Sequence, residues 1–488
     1  MSKPGVPFQL VWLRNDLRCY DNAALYFAAE AAQRLQQPLV VLFAATKDSW
    51  QAHDMAPIKQ DFIRRRVQAL QQELAQLNIP LLAIEASDYA SMQPLFQLLA
   101  DLGMAACYAH TEYELREQHR DHKITALLAA RGIACFWYDK LCVMPPGSIK
   151  TQSGDVYKVF TPFKRNWLHQ LEQRGITCLK RPQLTTELAA ITEQLKQSVV
   201  QPLATAGFPA LLAGDNSSAD WPVAEHQVLE QMRLFCQQQV ADYQQQRDFP
   251  AKPGTSKLSA YLAIGVLSAQ QCVSRLQLEA ATQLSIERSG AAVWLSELIW
   301  REFYKHILVA FPDLIKHRPF QAETAAIRWP NDPALFNAWC QGNTGYPIVD
   351  AAMRQLNQTG WMHNRLRMIA ASFLVKDLHV DWRLGEQYFM SRLIDGDFAA
   401  NNGGWQWAAS TGTDAAPYFR IFNPVTQSER FDPAGDFIKG FIPELNKLDA
   451  KSIHWPHKVS TPKGYAKPVV DHAAARIITL ALFKEVKQ

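Results

Sequence analysis

Apolar runs alternate with amphipathic stretches through the N-terminal part of the chain. The runs are apolar at consecutive positions, as in strands that are buried on both faces of a parallel sheet. They predict strands at Phe8–Leu13, Leu39–Ala45, Pro80–Glu85, Ala105–His110 and Ile133–Tyr138. Helical periodicity between them predicts helices at Ala23–Gln36, Ile58–Leu77, Ala90–Leu102 and Arg116–Ala130. Strands that alternate with helices in this way indicate a doubly wound, parallel α/β sheet.

The pattern changes twice further along the chain. Residues 146–224 begin within the break Pro145-Pro146-Gly147 and contain the break Gly214-Asp215-Asn216-Ser217-Ser218, and such breaks are typical of a long connector. From Glu225 onward helical periodicity dominates, up to a terminal helix at Asp471–Val486. We therefore expect an α/β domain over residues 1–145, an interdomain connector over 146–224 and an all-α domain over 225–488.

Composition narrows the class of protein. A chain of 488 residues is too long for one ordinary core, and its net charge of +4 is compatible with nucleic-acid binding without being diagnostic of it. The eight cysteines stand singly and the histidines do not cluster, so we expect neither a disulfide framework nor a metal site. The single cysteines favour a reducing cytosol. The N-terminus is a poor signal peptide and no apolar run is long enough to span a membrane, so we expect no membrane partner.

The turn after the first strand excludes one large class of enzyme. Sheets of this kind bind ligands beyond the carboxyl ends of their strands. Here the first strand leads into Arg14-Asn15-Asp16 without a glycine loop, and GxGxxG is absent throughout the chain. An NAD-type dehydrogenase is therefore disfavoured.

Two C-terminal stretches, Gly345–Met368 and Asp395–Pro424, are the richest in chemically active side chains. The second begins with two carboxylates, two adjacent asparagines, three glycines and two tryptophans within 13 residues. Polar groups at this density must be paired if they are buried, and a bound heterocycle rich in donors and acceptors would pair them. A glycine-rich surface loop with incidental tryptophans is the other interpretation.

These stretches resemble the flavin-binding core of the DNA photolyase/cryptochrome family. The similarity continues in family order through Trp12–Asn22, Tyr157–Trp167, Arg247–Ser268 and Trp294–Tyr304, so that it covers essentially the whole chain. The nearest subgroup is the bacterial class I photolyases, which act on cyclobutane pyrimidine dimers. The resemblance implies light-driven electron transfer from reduced FAD, as FADH−, to a dimer flipped out of DNA. A cryptochrome-like blue-light receptor without repair activity is the main alternative, and a flavin oxidoreductase of dark metabolism is a third.

A flavin site is implied in several segments. Backbone N–H groups and small hydroxyls at a helix start bind phosphates, and such a start follows Gly254, although an ordinary helix cap would look the same. The resemblance places Asn401 at the flavin N5 position and a pair of Arg367 and Asp395 beside the ring system. The residues implied in FAD binding are Tyr243, Thr255, Ser256, Lys257, Leu258, Ser259, Trp294, Arg367, Asp395, Asp397 and Asn401.

A lesion site is predicted beside the flavin. The spacing of Glu297, Trp300, Arg301 and Tyr304 puts them on one helical face that mixes charge with aromatic rings, which suits a cleft better than a dry core. By resemblance, Trp300 and Trp361 are flat walls of the dimer pocket, Met368 is an apolar contact, and Glu297 and Asn364 are polar partners. Contacts with the DNA backbone are implied for Arg247, Arg365 and Gln427.

Three residues separate this chain from other subgroups of the family. Six-four photolyases carry histidines where Asn364 and Met368 stand here. Plant and animal cryptochromes tend to replace the residue equivalent to Asn401. The resemblance therefore favours a photolyase that acts on cyclobutane dimers, working on dimer-containing DNA as a monomer and associated with the nucleoid.

Two accessory systems are implied as well. Trp405, Trp382 and Trp329 match the tryptophans that relay electrons to the flavin in this family. His53, Glu117 and Lys316 match a methenyltetrahydrofolate antenna site, although Arg116 and Ile315 depart from its pattern. We therefore expect a folate antenna, with a deazaflavin or no antenna as open alternatives.

Overall fold

A computed structural model describes residues 6–203, 217–284, 288–458 and 462–486. Its N-terminal part holds a five-stranded parallel sheet of order β3-β2-β1-β4-β5. The strands are β1 (Phe8–Leu13), β2 (Leu39–Thr46), β3 (Leu81–Ala86), β4 (Met104–His110) and β5 (Ala134–Tyr138). The doubly wound parallel sheet is thus confirmed, and the ends of every predicted strand agree within one residue.

Helices connect and cover this sheet and make up the rest of the described chain. The first group is α1 (Ala23–Leu35), α2 (Lys47–Ala52), α3 (Pro57–Ala75), α4 (Met92–Asp101), α5 (Leu115–Ala129), α6 (Phe160–Arg174), α7 (Thr186–Leu195), α8 (Gln201–Leu203), α9 (Glu225–Leu234) and α10 (Tyr243–Gln246). The second group is α11 (Ser259–Ile264), α12 (Ala269–Leu284), α13 (Gly290–Ala310), α14 (Pro333–Gln341), α15 (Pro347–Thr359), α16 (Asn364–Lys376), α17 (Trp382–Met390), α18 (Phe398–Ala409), α19 (Pro424–Phe431), α20 (Asp436–Phe441) and α21 (His472–Glu485). Short π and 3₁₀ segments lie at Lys196–Val200, Phe235–Gln239, Val240–Asp242, Pro312–Lys316, Ala322–Ala326 and Pro443–Leu445.

Local sequence signals explain where several helices begin. The Asn22 side chain accepts a hydrogen bond from the backbone N–H of Leu25 and so caps α1. Pro57 occupies the first position of α3, where its missing N–H costs no hydrogen bond. The four helices predicted between the strands are all present, with ends that agree within two residues.

The predicted connector is partly helical, since α6, α7 and α8 lie within it. Residues 204–216, including Gly214, Asp215 and Asn216 of its second break, lie outside the described residues. Trp167 of α6 is fully buried and donates from Nε1 to Oε2 of Glu302 on α13 at 2.7 Å. One hydrophobic cluster contains residues of the sheet, of α6 and of α13. Because this core is shared by all three predicted segments, it marks no boundary between them, and the division into 1–145, 146–224 and 225–488 stays a prediction.

The C-terminal part is helical, as predicted. Helix α13 contacts α6, α10, α12 and α18, while α16, α17 and α18 pack on one another around a second hydrophobic cluster. Across the residues that the structure describes, no helix has both the length and the apolar character to cross a membrane.

Candidate functional site

A cavity of about 500 Å³ lies in the helical part, between α10, α13, α16, α18 and the segment before α11. It is the larger of two cavities described here, and it brings together most of the residues predicted for the flavin and the lesion. Those that line it are Tyr243, Arg247, Thr255, Ser256, Lys257, Leu258, Ser259, Trp294, Glu297, Trp300, Arg301, Tyr304, Trp361, Asn364, Arg367, Met368, Asp395, Asp397, Asn401 and Trp405.

Helix α13 supplies one wall of this larger cavity. Ser289 caps the helix by accepting from the N–H of Ala292, and a side chain at Gly290 would meet the backbone oxygen of Val240 at 1.9 Å. That close approach holds α13 against the turn that precedes Tyr243. Glu297, Trp300, Arg301 and Tyr304 then face the cavity together.

Trp300 offers only one of its faces to the cavity. Its other face is stacked on Phe160, with ring centroids 3.7 Å apart and planes 7° from parallel. Phe160 begins α6 in the predicted connector and was not among the predicted site residues, although it stands inside the quoted stretch Tyr157–Trp167. The connector therefore fixes the orientation of a ring in the site, because the two aromatic side chains stack face to face.

The segment before α11 also lines the larger cavity. Lys257 has a left-handed backbone with φ of 52°, and its Nζ lies 5.4 Å from the ring centre of Trp361. A side chain at Gly254 would meet Cβ of Gln246 at 2.4 Å, so only glycine lets this segment approach α10 closely. The hydroxyls and N–H groups of Thr255–Ser259 are thereby placed at the edge of the cavity, where a phosphate could be bound.

Paired charges form the floor of the larger cavity. Arg367 Nη2 lies 3.0 and 2.8 Å from the two carboxylate oxygens of Asp395. Asp397 caps α18 by accepting from the N–H of Ala400, and its Oδ2 lies 3.0 Å from Nζ of Lys305. Burial acts to raise the pKa of Asp397, but the nearby Lys305 and Arg301 outweigh it, so that the pKa is lowered and the carboxylate stays charged.

The residues that line this cavity fit a flavin. Asn401 donates from Nδ2 to the backbone oxygen of Glu386 at 3.0 Å, which leaves Oδ1 as the acceptor that it can offer to a ligand. Nε1 of Trp405 is buried and has no hydrogen-bond partner among the described residues. A Cβ at Gly404 would meet no atom within 4 Å, so glycine keeps this part of the cavity open.

Two of the three residues predicted to contact the DNA backbone form ion pairs with carboxylates, and the third lies outside the larger cavity. Arg247 pairs with Glu297, and Arg365 Nη2 lies 2.8 Å from Oδ1 of Asp248. Arg365 also lies over the ring of Phe431, 4.4 Å from its centre. Gln427 lies on α19 and does not line the cavity.

Two of the three predicted relay tryptophans are buried, and the third is half-buried. Trp405 lines the cavity and is buried, and Trp382 at the start of α17 is buried in the same cluster. A side chain at Gly385, one turn after Trp382, would meet the Trp405 ring at 2.2 Å, so this ring lies directly over α17. Trp329 is half-buried and packs against Phe483 of α21, with ring centroids 6.1 Å apart.

The smaller cavity, of about 150 Å³, lies at the carboxyl ends of the sheet. Trp12 and Arg14 at the end of β1 and Glu112 after β4 line it, which is the point where the strand order reverses. Open α/β sheets bind ligands at this point. Both cavities are lined by Leu262, Ala263, Arg301, Gly396 and Asp397, so these residues form the partition between them.

Two of the three predicted antenna residues meet in the smaller cavity. His53 Nδ1 lies 3.5 Å from Oε1 of Glu117, which also accepts from the hydroxyl of Tyr89 at 2.7 Å. Burial raises the pKa of Glu117 and lowers that of His53. Three buried atoms here have no hydrogen-bond partner in the described part of the chain: Arg14 Nη1, His53 Nε2 and Glu117 Oε2. A polar heterocycle would supply their partners.

The remaining antenna positions lie elsewhere. Lys316 does not line the smaller cavity; its Nζ pairs with Oδ1 of Asp313 at 3.0 Å, and both side chains are exposed. Arg116 is exposed and lies near the backbone oxygen of Ala52, while Ile315 packs against the first hydrophobic cluster. The lining residues Trp12, Arg14 and Tyr89 were not predicted as site residues; the expectation of a ligand beyond the strand ends is the signal that indicates them.

Cys19, Glu73 and Glu225 also bring ligand atoms within 4.8 Å of one another. Their carboxylates already have partners. Glu73 pairs with Arg66 at 2.6 Å, and Glu225 accepts from the N–H groups of Cys19 and Tyr20. This cluster is therefore a hydrogen-bonded link between α3, α9 and the turn after β1.

Comparison with known proteins identifies the family. The family model described as DNA photolyase matches residues 9–185, and the one described as FAD binding domain of DNA photolyase matches residues 294–485. A Vibrio cholerae protein named deoxyribodipyrimidine photo-lyase is 50% identical over 98% of this chain and 100% of its own length.

Solved structures give the same answer. A class III photolyase from Agrobacterium tumefaciens is 32% identical, with a TM-score of 0.80 over 100% of this chain and 99% of that one. A Synechocystis cryptochrome is 26% identical, with a TM-score of 0.82 over 98% of this chain and 100% of that one. With both family models matched and half of its residues shared with a relative along nearly its whole length, the chain belongs to the DNA photolyase family.

Proposed function

We propose that this protein is a deoxyribodipyrimidine photo-lyase, which uses light to split cyclobutane pyrimidine dimers in DNA. One observation carries the proposal: a single cavity is lined both by Arg367, Asp395 and Asn401 and by the rings of Trp300 and Trp361. A flavin and a pyrimidine dimer flipped out of the duplex would therefore share one enclosure, which is what electron transfer between them requires.

The residues that line this cavity would bind the flavin and set the electric field around it. When bound there, reduced FAD supplies the electron that splits the dimer after excitation by light. Thr255–Ser259 would bind the pyrophosphate, and Asn401 would offer its Oδ1 to the edge of the ring system. The Arg367–Asp395 pair and the Lys305–Asp397 pair give a fixed local field, because both pairs are held by hydrogen bonds in a partly dry site.

The lesion half of the cavity suits two stacked pyrimidines. Trp361 and the free face of Trp300 are flat apolar walls, and Met368 adapts to a ligand of irregular shape. Glu297 and Asn364 are the polar groups that would bond to the edges of the bases. Arg247, Arg365 and Gln427 would contact the DNA backbone, which carries no sequence information and fits an enzyme that must act at any sequence.

Two accessory roles belong to the same proposal. Trp405, Trp382 and Trp329 would pass an electron from the surface to the larger cavity. The smaller cavity would hold a light-collecting antenna, a methenyltetrahydrofolate, with Glu117 and His53 as polar partners of its pterin. We also propose that the protein acts as a monomer at the nucleoid, that it needs no metal, and that residues 1–145, 146–224 and 225–488 are its antenna domain, connector and FAD domain.

A cryptochrome-like receptor is the alternative that shares the fold. Identity to the Synechocystis cryptochrome is 26%, whereas identity to the Vibrio cholerae photo-lyase is 50%. Asn364, Met368 and Asn401 also stand at positions where other subgroups differ. The repair activity is therefore the better supported of the two functions.

A repair assay decides between them. The purified, fully reduced protein is mixed with a duplex that contains one cyclobutane thymine dimer and is illuminated with blue light, with a dark sample as control. We expect intact thymines to reappear in the light only. A reduced, flavin-loaded protein that restores no dimer would refute the repair function and leave the receptor.

A further inference from the structure

Lys59 is a buried lysine that links the sheet-containing part of the chain to the wall of the flavin cavity. It lies in the first turn of α3, and its Nζ donates to the backbone oxygen of Gly396 at 2.7 Å. Gly396 stands between Asp395 and Asp397, the two carboxylates on the floor of the larger cavity. The hydrogen bond therefore joins two residues that are far apart in sequence, and it holds the peptide between the two aspartates.

This position is unfavourable for a lysine. The first turn of a helix is the positive end of its dipole, and α3 has neither an acidic residue there nor a side-chain cap. Burial lowers the pKa of Lys59, and the nearby Asp397 and Asp395 act in the opposite direction. A cation that is disfavoured by both its helix and its burial is stabilised here by Gly396 and the two aspartates.

The residue before Lys59 contacts the same site. A Cβ at Gly360, which has φ of 67°, would meet Cδ1 of Ile58 at 2.6 Å, so only glycine lets these two segments pack this closely. Gly360 directly precedes Trp361, a wall of the larger cavity. The first turn of α3 thus contacts two separate stretches that line the flavin and lesion site.

We infer that Lys59 is a positioning residue for the flavin site: it fixes the Gly396 peptide, and with it the carboxylates of Asp395 and Asp397, and it adds a positive charge behind them. The inference rests on the proposed flavin function. A positive charge at this place favours the more negative, reduced state of a bound flavin, because it acts across the low-dielectric partition between the cavities. Lys59 should therefore raise the flavin midpoint potential as well as the affinity for FAD.

The test compares four variants in full-length, flavin-loaded protein and in the same proteins after flavin removal. Lys59→Met removes both the bond and the charge, Lys59→Gln keeps a donor without the charge, and Lys59→Arg keeps both. Gln270→Leu is the matched control, because Gln270 also donates to a backbone oxygen, that of Cys142 at 2.7 Å, and neither residue lines either cavity. The readouts are the flavin midpoint potential by spectroelectrochemistry, the FAD dissociation constant and the thermal unfolding temperature.

We expect Lys59→Met to weaken FAD binding about tenfold, the size of one lost hydrogen bond to a charged group, and to make the potential more negative. Lys59→Gln should shift the potential with a smaller loss of affinity, and it decides the question if Lys59→Met does not fold. Lys59→Arg and Gln270→Leu should leave the potential unchanged. An unchanged potential in both Lys59→Met and Lys59→Gln overturns the inference, as does an equal shift in Gln270→Leu. Because none of these readouts is repair, a wild-type protein that binds FAD but repairs no dimer would refute the proposed function alone.

Discussion

Oε1 of Glu297 lies 2.5 Å from Nη1 of Arg247, and both side chains are partly exposed at the larger cavity. A residue predicted to bond a pyrimidine and one predicted to bind DNA phosphate thus hold each other in place. Burial acts to lower the pKa of Arg247, but the nearby Glu297 outweighs it, so that the pKa is raised and the guanidinium stays charged. A bound lesion has to share or replace this ion pair.

Replacing Glu297 with alanine should separate recognition of the lesion from DNA binding in general. The change removes an acceptor worth about 1.5–3 kcal/mol to a charged or strongly polar partner. We expect preference for dimer-containing over undamaged duplex to fall by roughly tenfold or more, with FAD still bound. Affinity for undamaged DNA should not fall, because Arg247 loses its negative partner. Binding to both duplexes at one salt concentration measures this.

The control for Glu297→Ala is Glu230→Ala, which breaks an exposed ion pair with Arg233 and removes no side chain that lines the cavity. It should change neither affinity nor repair. Equal loss of affinity for damaged and undamaged DNA in Glu297→Ala would show that this side chain acts only on the architecture of the site.

A second prediction concerns the smaller cavity. Glu117→Gln keeps the shape of the side chain and its bond to Tyr89 but removes the negative charge that would pair with N–H groups of a pterin. We expect the variant to lose absorbance of a second chromophore while it retains the absorbance of FAD. Absorption spectra of the purified wild-type and variant proteins, with folate added during refolding, measure the ratio of the second chromophore to FAD. A second chromophore kept at full occupancy would contradict the proposed role of Glu117.

The third prediction is that the free energy of unfolding falls in acid because of the buried His306. Nδ1 accepts from the N–H of Gly147 at 3.3 Å and Nε2 donates to the oxygen of Met144 at 3.0 Å, so the ring is neutral and buried. Burial lowers the pKa of His306 from 6.5 to about 4. Below pH 6.5 the unfolded state takes up a proton that the folded state refuses, so stability falls as the pH drops from 6.5 towards 4, by about 3 kcal/mol in full.

Glutamine in place of His306 can still accept one hydrogen bond and donate another, but its side chain does not titrate between pH 5 and pH 7. We expect it to reduce the difference in unfolding free energy between pH 7 and pH 5, measured by denaturant titration, by about 2 kcal/mol. The control is the exposed His119→Gln, which should leave this difference unchanged. A wild-type protein as stable at pH 5 as at pH 7 would contradict the assignment of His306.

The sheet was predictable because its signals are local. Each strand is an apolar run such as Phe8–Leu13, and helix starts such as Asn22 and Pro57 carry their own chemistry. In the helical part, the order of the motifs matched that of the family, and this resemblance was enough to predict that Asn401, Trp361 and Thr255 line one site. All three line the larger cavity.

The contacts between distant segments were not predictable, because they depend on how the parts pack. Nothing in the sequence near Trp300 shows that Phe160 covers one of its faces. The bond from Lys59 to Gly396 joins two stretches whose separate patterns are ordinary. Lys316 matches an antenna motif by position, yet its side chain points to Asp313 at the surface.

The proposed tryptophan relay gives the last prediction, tested by Trp405→Phe. Phenylalanine fills most of the same space, and Nε1 of Trp405 has no hydrogen-bond partner among the described residues, so the stability cost should be about 1–2 kcal/mol. A phenyl ring is much harder to oxidise than an indole, so photoreduction of oxidised flavin should be largely lost.

Repair by Trp405→Phe protein that was reduced chemically beforehand should stay near the wild-type rate, because the relay only restores the active flavin. Flash photolysis of the oxidised protein and repair by the reduced protein measure the two activities separately. Trp339→Phe is the matched control: this buried ring lies 6.0 Å from the ring of Trp405 but outside the proposed relay. If Trp339→Phe abolished photoreduction and Trp382→Phe did not, the electron would reach Trp405 through Trp339, and the order Trp329, Trp382, Trp405 would be wrong.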